Sequence, residues 1–192
     1  SSEGVRVKGE EIPDAERRDP YPEYVDESVQ PVGKTKYSRV LNLSEAGLVH
    51  PGKSVMYKIR IPEDAYLKYS KDVDGSPAAV TALLMARAVT EVHRDTDLPI
   101  ICGMSMNIRG MLHAPLSHHS LVSQLYLEHK KALQKMEIGE QALCYRGMIM
   151  VQGIDANVMD TVRHRLELSS MMKKIPDLEG RREMMRKTLS SA

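Results

Sequence analysis

Three histidines, His113, His118 and His119, fall within seven residues of one another, and Ser117 and Ser120 flank the last two. Histidine ordinarily titrates near neutral pH, so an imidazole here could serve as a general base. His118 and His119 are therefore candidate residues of a substrate channel. A serine nucleophile would need a histidine and a carboxylate to orient that histidine. The loop carries no Asp or Glu, so Ser117 and Ser120 do not read as nucleophiles. Metal binding fails on the same ground, because zinc and its relatives take three or four ligands with outer support. No metal is expected. The plainer reading is a pair of loop histidines making ordinary polar contacts at a helix N-terminus.

Two arginines are the other candidates. Arg109 follows an apolar run, and Arg146 stands in Tyr145-Arg146-Gly147. A guanidinium suits phosphate, so Arg146 could face one, although a salt bridge explains it as well. No glycine-rich phosphate cradle is present. Asp74-Gly75-Ser76 reads as a turn and a helix cap.

Helices and strands must position these residues. Ser54 to Ile61 ends in apolar/charged alternation, the period of a half-buried strand. Pro62 stops it and opens a helix to Val73, with Glu63 and Asp64 in the first turn. Ser76 is an N-cap and Pro77 a first helical residue. The helix from Ala78 to His93 is apolar on most sides, so it should be buried. Ile100 to Ile108 is a near-continuous apolar run, as in a strand covered on both faces. After the loop from Arg109 to Ser117, helices are expected over His119–Met136, Glu140–Gln152, Asn157–Lys174 and Arg181–Leu189. Residues 1–50 read as an extended linker, with a possible short strand from Lys36 to Leu43. Asp19-Pro20-Tyr21-Pro22-Glu23 should not be helical, because each proline disfavours helix at the residue before it. Two or three strands are too few for a sheet that stands alone.

The order of strand, proline-opened helix, helix "DGSPAAVTALLMARAV" and strand "PIICGMSMNIRGML" resembles the condensation-domain and alcohol-acetyltransferase branch of the chloramphenicol-acetyltransferase-like acyltransferases. In that family Ser76-Pro77-Ala78 would open a buried helix of the second lobe, and Asn107-Ile108-Arg109 would end the next strand. The resemblance implies a partial two-layer α/β sandwich over residues 51–192, with 1–50 as an extended inter-lobe segment and a helix-rich C-terminal part. It implies an acyl donor, coenzyme A or an acyl carrier, and a hydroxyl or amine acceptor meeting in a channel. Asn107 and Arg109 would support the active-site region, and Arg146 would be a candidate for the donor's phosphates. The family's chemistry depends on a His-His-x-x-x-Asp-Gly motif. His118-His119 is followed by Ser123-Gln124 where that motif has Asp-Gly, so no catalytic base is assigned in this chain. The resemblance thus implies an internal segment, completed by a missing lobe or by another copy of the chain.

Composition narrows the alternatives. Lys and Arg number 27 against 26 Asp and Glu, for a formal charge of +1, which gives no footprint for nucleic acid. No apolar run reaches the roughly 20 residues a membrane helix needs. Two cysteines in apolar surroundings and no secretory segment suggest reduced thiols and a soluble, cytoplasmic protein. The acidic first thirty residues and basic last thirty read as solvated ends or as mutual partners. The chain has no Phe, no Trp and 13 Met. Methionine adapts to irregular surfaces, so the competing reading is a non-catalytic interaction module with a Met-rich contact face.

Overall fold

The computed structural model describes residues 9, 11–32, 39–43, 56 and 58–190. Among them the chain is mixed α/β, with seven α-helices and one antiparallel pair of strands. Two compact units are distinguished, each with its own core. Among the described residues no helix is long and apolar enough to cross a membrane.

The second unit comprises the described residues of Val32–Ser105 and Gln124–Ile154. Helix α3 (Glu63–Asp72) leads through Val73 and a left-handed Asp74, φ 52°, into α4 (Pro77–Val92). Ser76 Oγ accepts from Ala79 N at 3.2 Å, and Pro77 takes the first helical position, where its missing N–H loses nothing. Helix α5 (Ile138–Gln152) opens with a capping box in which Glu137 and Glu140 each bond the other's backbone N–H. Ala79, Val80, Ala82, Leu83 and Ala86 of α4 pack with Ala142 and Tyr145 of α5 in one core, completed by Ile100 and Leu127 from the strands. Leu84, Met85 and Val92 are exposed, so α4 buries one face and is not enclosed on most sides as its composition suggested.

The first unit comprises the described residues of Ser1–Pro31, Met106–Ser123 and Asp155–Ala192. Helix α1 (Asp14–Arg17) and helix α2 (Tyr21–Tyr24) precede α6 (Asp155–Lys173) and α7 (Leu178–Ser190). Tyr21 packs with Ile108, Leu112, Leu121, Val158 and Val162. The expectation that 19–23 cannot be helical is wrong. Pro22 falls in the first turn of α2, where no intrahelical N–H is required, and Asp19 Oδ1 accepts from Tyr21 N at 3.1 Å.

Strands β1 (Ile100–Asn107) and β2 (Val122–His129) pair with Ile108 N donating to Leu121 O and Ser105 Oγ donating to Gln124 Oε1. The helix expected over 119–136 is therefore a strand followed by a short 3-10 turn at Leu133–Lys135. Leu121 and Leu125 stand four apart, a spacing that both periods satisfy. Burial of Leu121, Ser123, Leu125, Leu127 and His129 shows that the period is two. Strand β1 is likewise covered on one face only, since Gly103, Ser105 and Asn107 are exposed. Of the strand expected over 54–61, Ser54, Val55 and Tyr57 lie outside the described residues, and Lys58–Ile61 form no strand. Likewise Lys36–Ser38 lie outside, and 39–43 form none.

Gly75 sits where the turn meets the core. A Cβ there would lie 2.4 Å from Val80 Cγ2 and 3.4 Å from Ala142 Cβ. Gly75→Ala should lower unfolding free energy by about 1–3 kcal/mol through overpacking. Denaturant unfolding of Gly75→Ala, Val80→Ala and the double variant checks this. The double variant should lose less than the sum of the single losses, because Val80→Ala removes the clashing methyl.

Candidate functional site

The loop between the strands begins with Asn107, whose Oδ1 accepts from Arg109 N at 3.1 Å and from Arg109 Nη1 at 3.3 Å. The Arg109 guanidinium reaches across the loop, with Nε donating to Ser117 O at 3.2 Å and Nη2 to His119 O at 2.8 Å. Between these anchors the chain turns tightly: Leu112 N donates to Ile108 O, Ala114 N to Arg109 O and Ser117 N to Ala114 O. His113 takes a left-handed φ of 49°, uncommon for a residue with a Cβ. Asn107 and Arg109 are thus brought together as supports of one loop.

The other loop residues hold the N-terminal segment. Ser117 Oγ donates to Arg18 O at 2.8 Å, and His118 N donates to Glu16 O at 2.9 Å. The His118 ring lies with Nε2 3.0 Å from Glu16 Oε2, and the His119 ring with Nε2 2.9 Å from Arg17 O. Tyr21 OH donates to Ser120 O at 2.7 Å, and Arg165 Nη1 donates to both Tyr21 OH and Ser120 O. His118 and His119 are exposed, and each has one ring nitrogen engaged. Among the described residues no three His, Cys, Asp or Glu side chains gather as a metal set. Arg146 belongs to the other unit, where Nη1 donates to Asp74 O at 2.8 Å and Asp74 Oδ1 at 2.5 Å, clamping the left-handed turn.

The chain matches no family model, no curated protein and no solved structure.

Sequence reasoning missed a second constellation. His129 and Gln141 are buried, with 1% and 0% exposure, and both line a cavity of about 280 Å³. Tyr145 OH lies 3.1 Å from His129 Nδ1, while His129 Nε2 meets no partner among the described residues. Gln141 Nε2 donates to Met136 O at 2.7 Å, while its Oε1 is likewise unpaired. A buried polar atom without a hydrogen bond costs roughly 1–3 kcal/mol, so two on one cavity wall are notable. The only available signal was the alternation Leu125, Leu127, His129, which points the ring inward once the segment is known to be a strand.

Burial holds the His129 imidazole below its ordinary range, with the Arg87 charge acting in the same direction. The folded chain therefore binds fewer protons at this site than the unfolded chain. Its stability should be flat above about pH 6.5 and should fall as pH drops from there toward the depressed folded value. Carboxylates such as Asp97 and Glu23, whose folded values are lowered by Lys131 and Arg18, add losses only at more acid pH. Urea unfolding across this range checks the sign, and His129→Leu should flatten the upper part of the curve.

Proposed function

We propose that this chain supplies the scaffold face of an acyl transfer, in which an acyl group passes from a thioester of coenzyme A or an acyl carrier to a hydroxyl or amine. The observation that carries the reading is the Arg109 clamp. A strand runs into Asn107-Ile108-Arg109, and the guanidinium then fixes the loop that follows by its carbonyls. The order of elements adds support, since Ser76-Pro77 caps a helix with a buried core face before that strand. In this reading Asn107 and Arg109 are positioning residues, and His118 and His119 border the acceptor's path. The proton-abstracting base is assigned to no residue of this chain, and the two-layer sandwich is completed by strands from a partner lobe.

Titration of the chain with acetyl-coenzyme A, followed by backbone amide shifts, tests the reading. Amides of 107–120 should move, and Arg109→Lys, which cannot bridge two carbonyls with one planar fork, should scatter or abolish that response. No shift up to about 10 mM thioester would sink the proposal, since binding that weak is too slight for a substrate. Thiol release from acetyl-coenzyme A with a primary alcohol should stay at the uncatalysed rate. Turnover lost on His119→Ala would instead place the base in this loop.

A second reading, a protein-interaction module, is favoured by one observation. Met85 and Val92 of α4 and Leu143 and Met150 of α5 are each more than half exposed, at 62%, 63%, 56% and 68%. Apolar side chains left in water on neighbouring helices suit a partner surface. Sedimentation velocity should reveal self-association that Met150→Glu weakens. A monodisperse monomer at all concentrations would remove this reading.

A further inference from the structure

The cavity in the second unit has a chemistry of its own, apart from the acyl-transfer reading. Its floor is His129, at the end of β2, and Gln141, on α5. Its rim is Arg87, Thr90 and Glu91 of α4 and Arg94 just after that helix, with Gln134 in the 3-10 turn. The rim groups are mostly engaged. Arg94 Nη2 pairs with Glu91 Oε2 at 2.5 Å, and Thr90 Oγ1 donates to Ala86 O at 3.0 Å and accepts from Gln134 Nε2 at 3.3 Å. Arg87 is exposed and has no ion-pair partner among the described residues.

The hydrogen bonds fix what the floor offers. The buried Tyr145 phenol needs an acceptor, and among the described residues His129 Nδ1 is the one within reach. Once Nδ1 accepts, a neutral imidazole carries its proton on Nε2, which becomes a free donor. The Gln141 amide is oriented by its bond to Met136 O, which leaves Oε1 as a free acceptor. A hydroxyl oxygen accepts from one and donates to the other. A carboxylate could not serve Gln141 Oε1, and an ammonium could not serve a donor. The titratable groups around the imidazole are Arg87 and Glu91 of α4 and Arg94 just after it, with Tyr145 from α5 and the Cys102 thiol of β1 beyond it. Two guanidiniums against one carboxylate leave the mouth positive.

We propose that this cavity binds a small hydroxycarboxylate, its hydroxyl between His129 Nε2 and Gln141 Oε1 and its carboxylate toward Arg87. The buried donor–acceptor floor and the exposed cation at the rim separate the two groups, which favours a hydroxyl on a short carbon frame over inorganic phosphate. The volume of about 280 Å³ corresponds to about nine waters, enough for a three- or four-carbon acid.

Malate and its deoxy counterpart succinate are the probes, titrated into the intact chain and followed by the ¹⁵N shifts of the His129 ring and by calorimetry. Malate should bind with a dissociation constant on the order of 1 mM and move Nε2 more than Nδ1. Succinate should bind at least roughly tenfold more weakly, because it leaves both floor atoms unpaired. Arg87→Ala, at an exposed position, should weaken malate by roughly tenfold while the melting temperature stays unchanged. Equal affinity for malate and succinate, an unaltered malate affinity in Arg87→Ala, or tighter binding of phosphate than of malate would each overturn the assignment. So would a His129 ring that ignores all three probes, which would mean that the cavity holds water alone.

Discussion

A backbone carbonyl outside a helix or a strand ladder still needs a donor, and in this chain arginine side chains supply many of them. Arg109 serves Ser117 and His119, Arg163 serves Asp26 and Val29, Arg146 serves Asp74, and Arg181 serves Ile175. With two strands among the described residues, the ladder can satisfy only a small share of the backbone. The planar, always-charged guanidinium reaches two acceptors at once, and so fixes loops that the sheet does not hold. Much of the basic charge that might have suggested anion binding is therefore committed to structure. Arg163 meets the acidic N-terminal stretch through its carbonyl oxygens, so the expected attraction between the two ends of the chain takes the form of neutral acceptors bonded by a cation.

The elements whose local chemistry is self-sufficient were legible in the sequence. Ser76-Pro77 marks the start of α4 because a cap oxygen and a proline at the first helical position act within one turn. The α5, α6 and α7 helices follow their apolar spacing to within a few residues at each end. Strand β2 was not legible, since a four-residue spacing of leucines serves a helix and a strand equally. Only the intervening Ser123 and Leu127, buried with them, separate the two cases. Helix α2 was missed because proline was weighed as a breaker without regard to its position in the turn. Around the site, Asn107 and Arg109 stood out through the family resemblance, whereas the carbonyls that Arg109 binds lie eight and ten residues away and carry no side-chain signal.

The three histidines that drew attention first, and the one that did not, separate by burial. His118 and His119 are exposed and spend a ring nitrogen each on the segment at Glu16 and Arg17. His129 is enclosed, half satisfied by Tyr145, and held by burial below the ordinary imidazole range. A neutral imidazole with a fixed tautomer is a directional donor, while an exposed one exchanges its proton and its partner with water. Clustering along the sequence therefore pointed to the residues that brace a loop, and the side chain with an unspent hydrogen bond came from the far end of the same hairpin.

Gln152 closes the outer margin of β2. Its amide donates to Tyr126 O at 2.9 Å and accepts from Tyr126 N at 2.8 Å, which reproduces with one side chain the pair of bonds a neighbouring strand would make. Any extended peptide that sought to align there would first have to displace this amide, and would meet the flank of α5 behind it. The glutamine thus acts as a sentry against templated stacking of identical chains, a hazard that an uncovered strand edge otherwise carries.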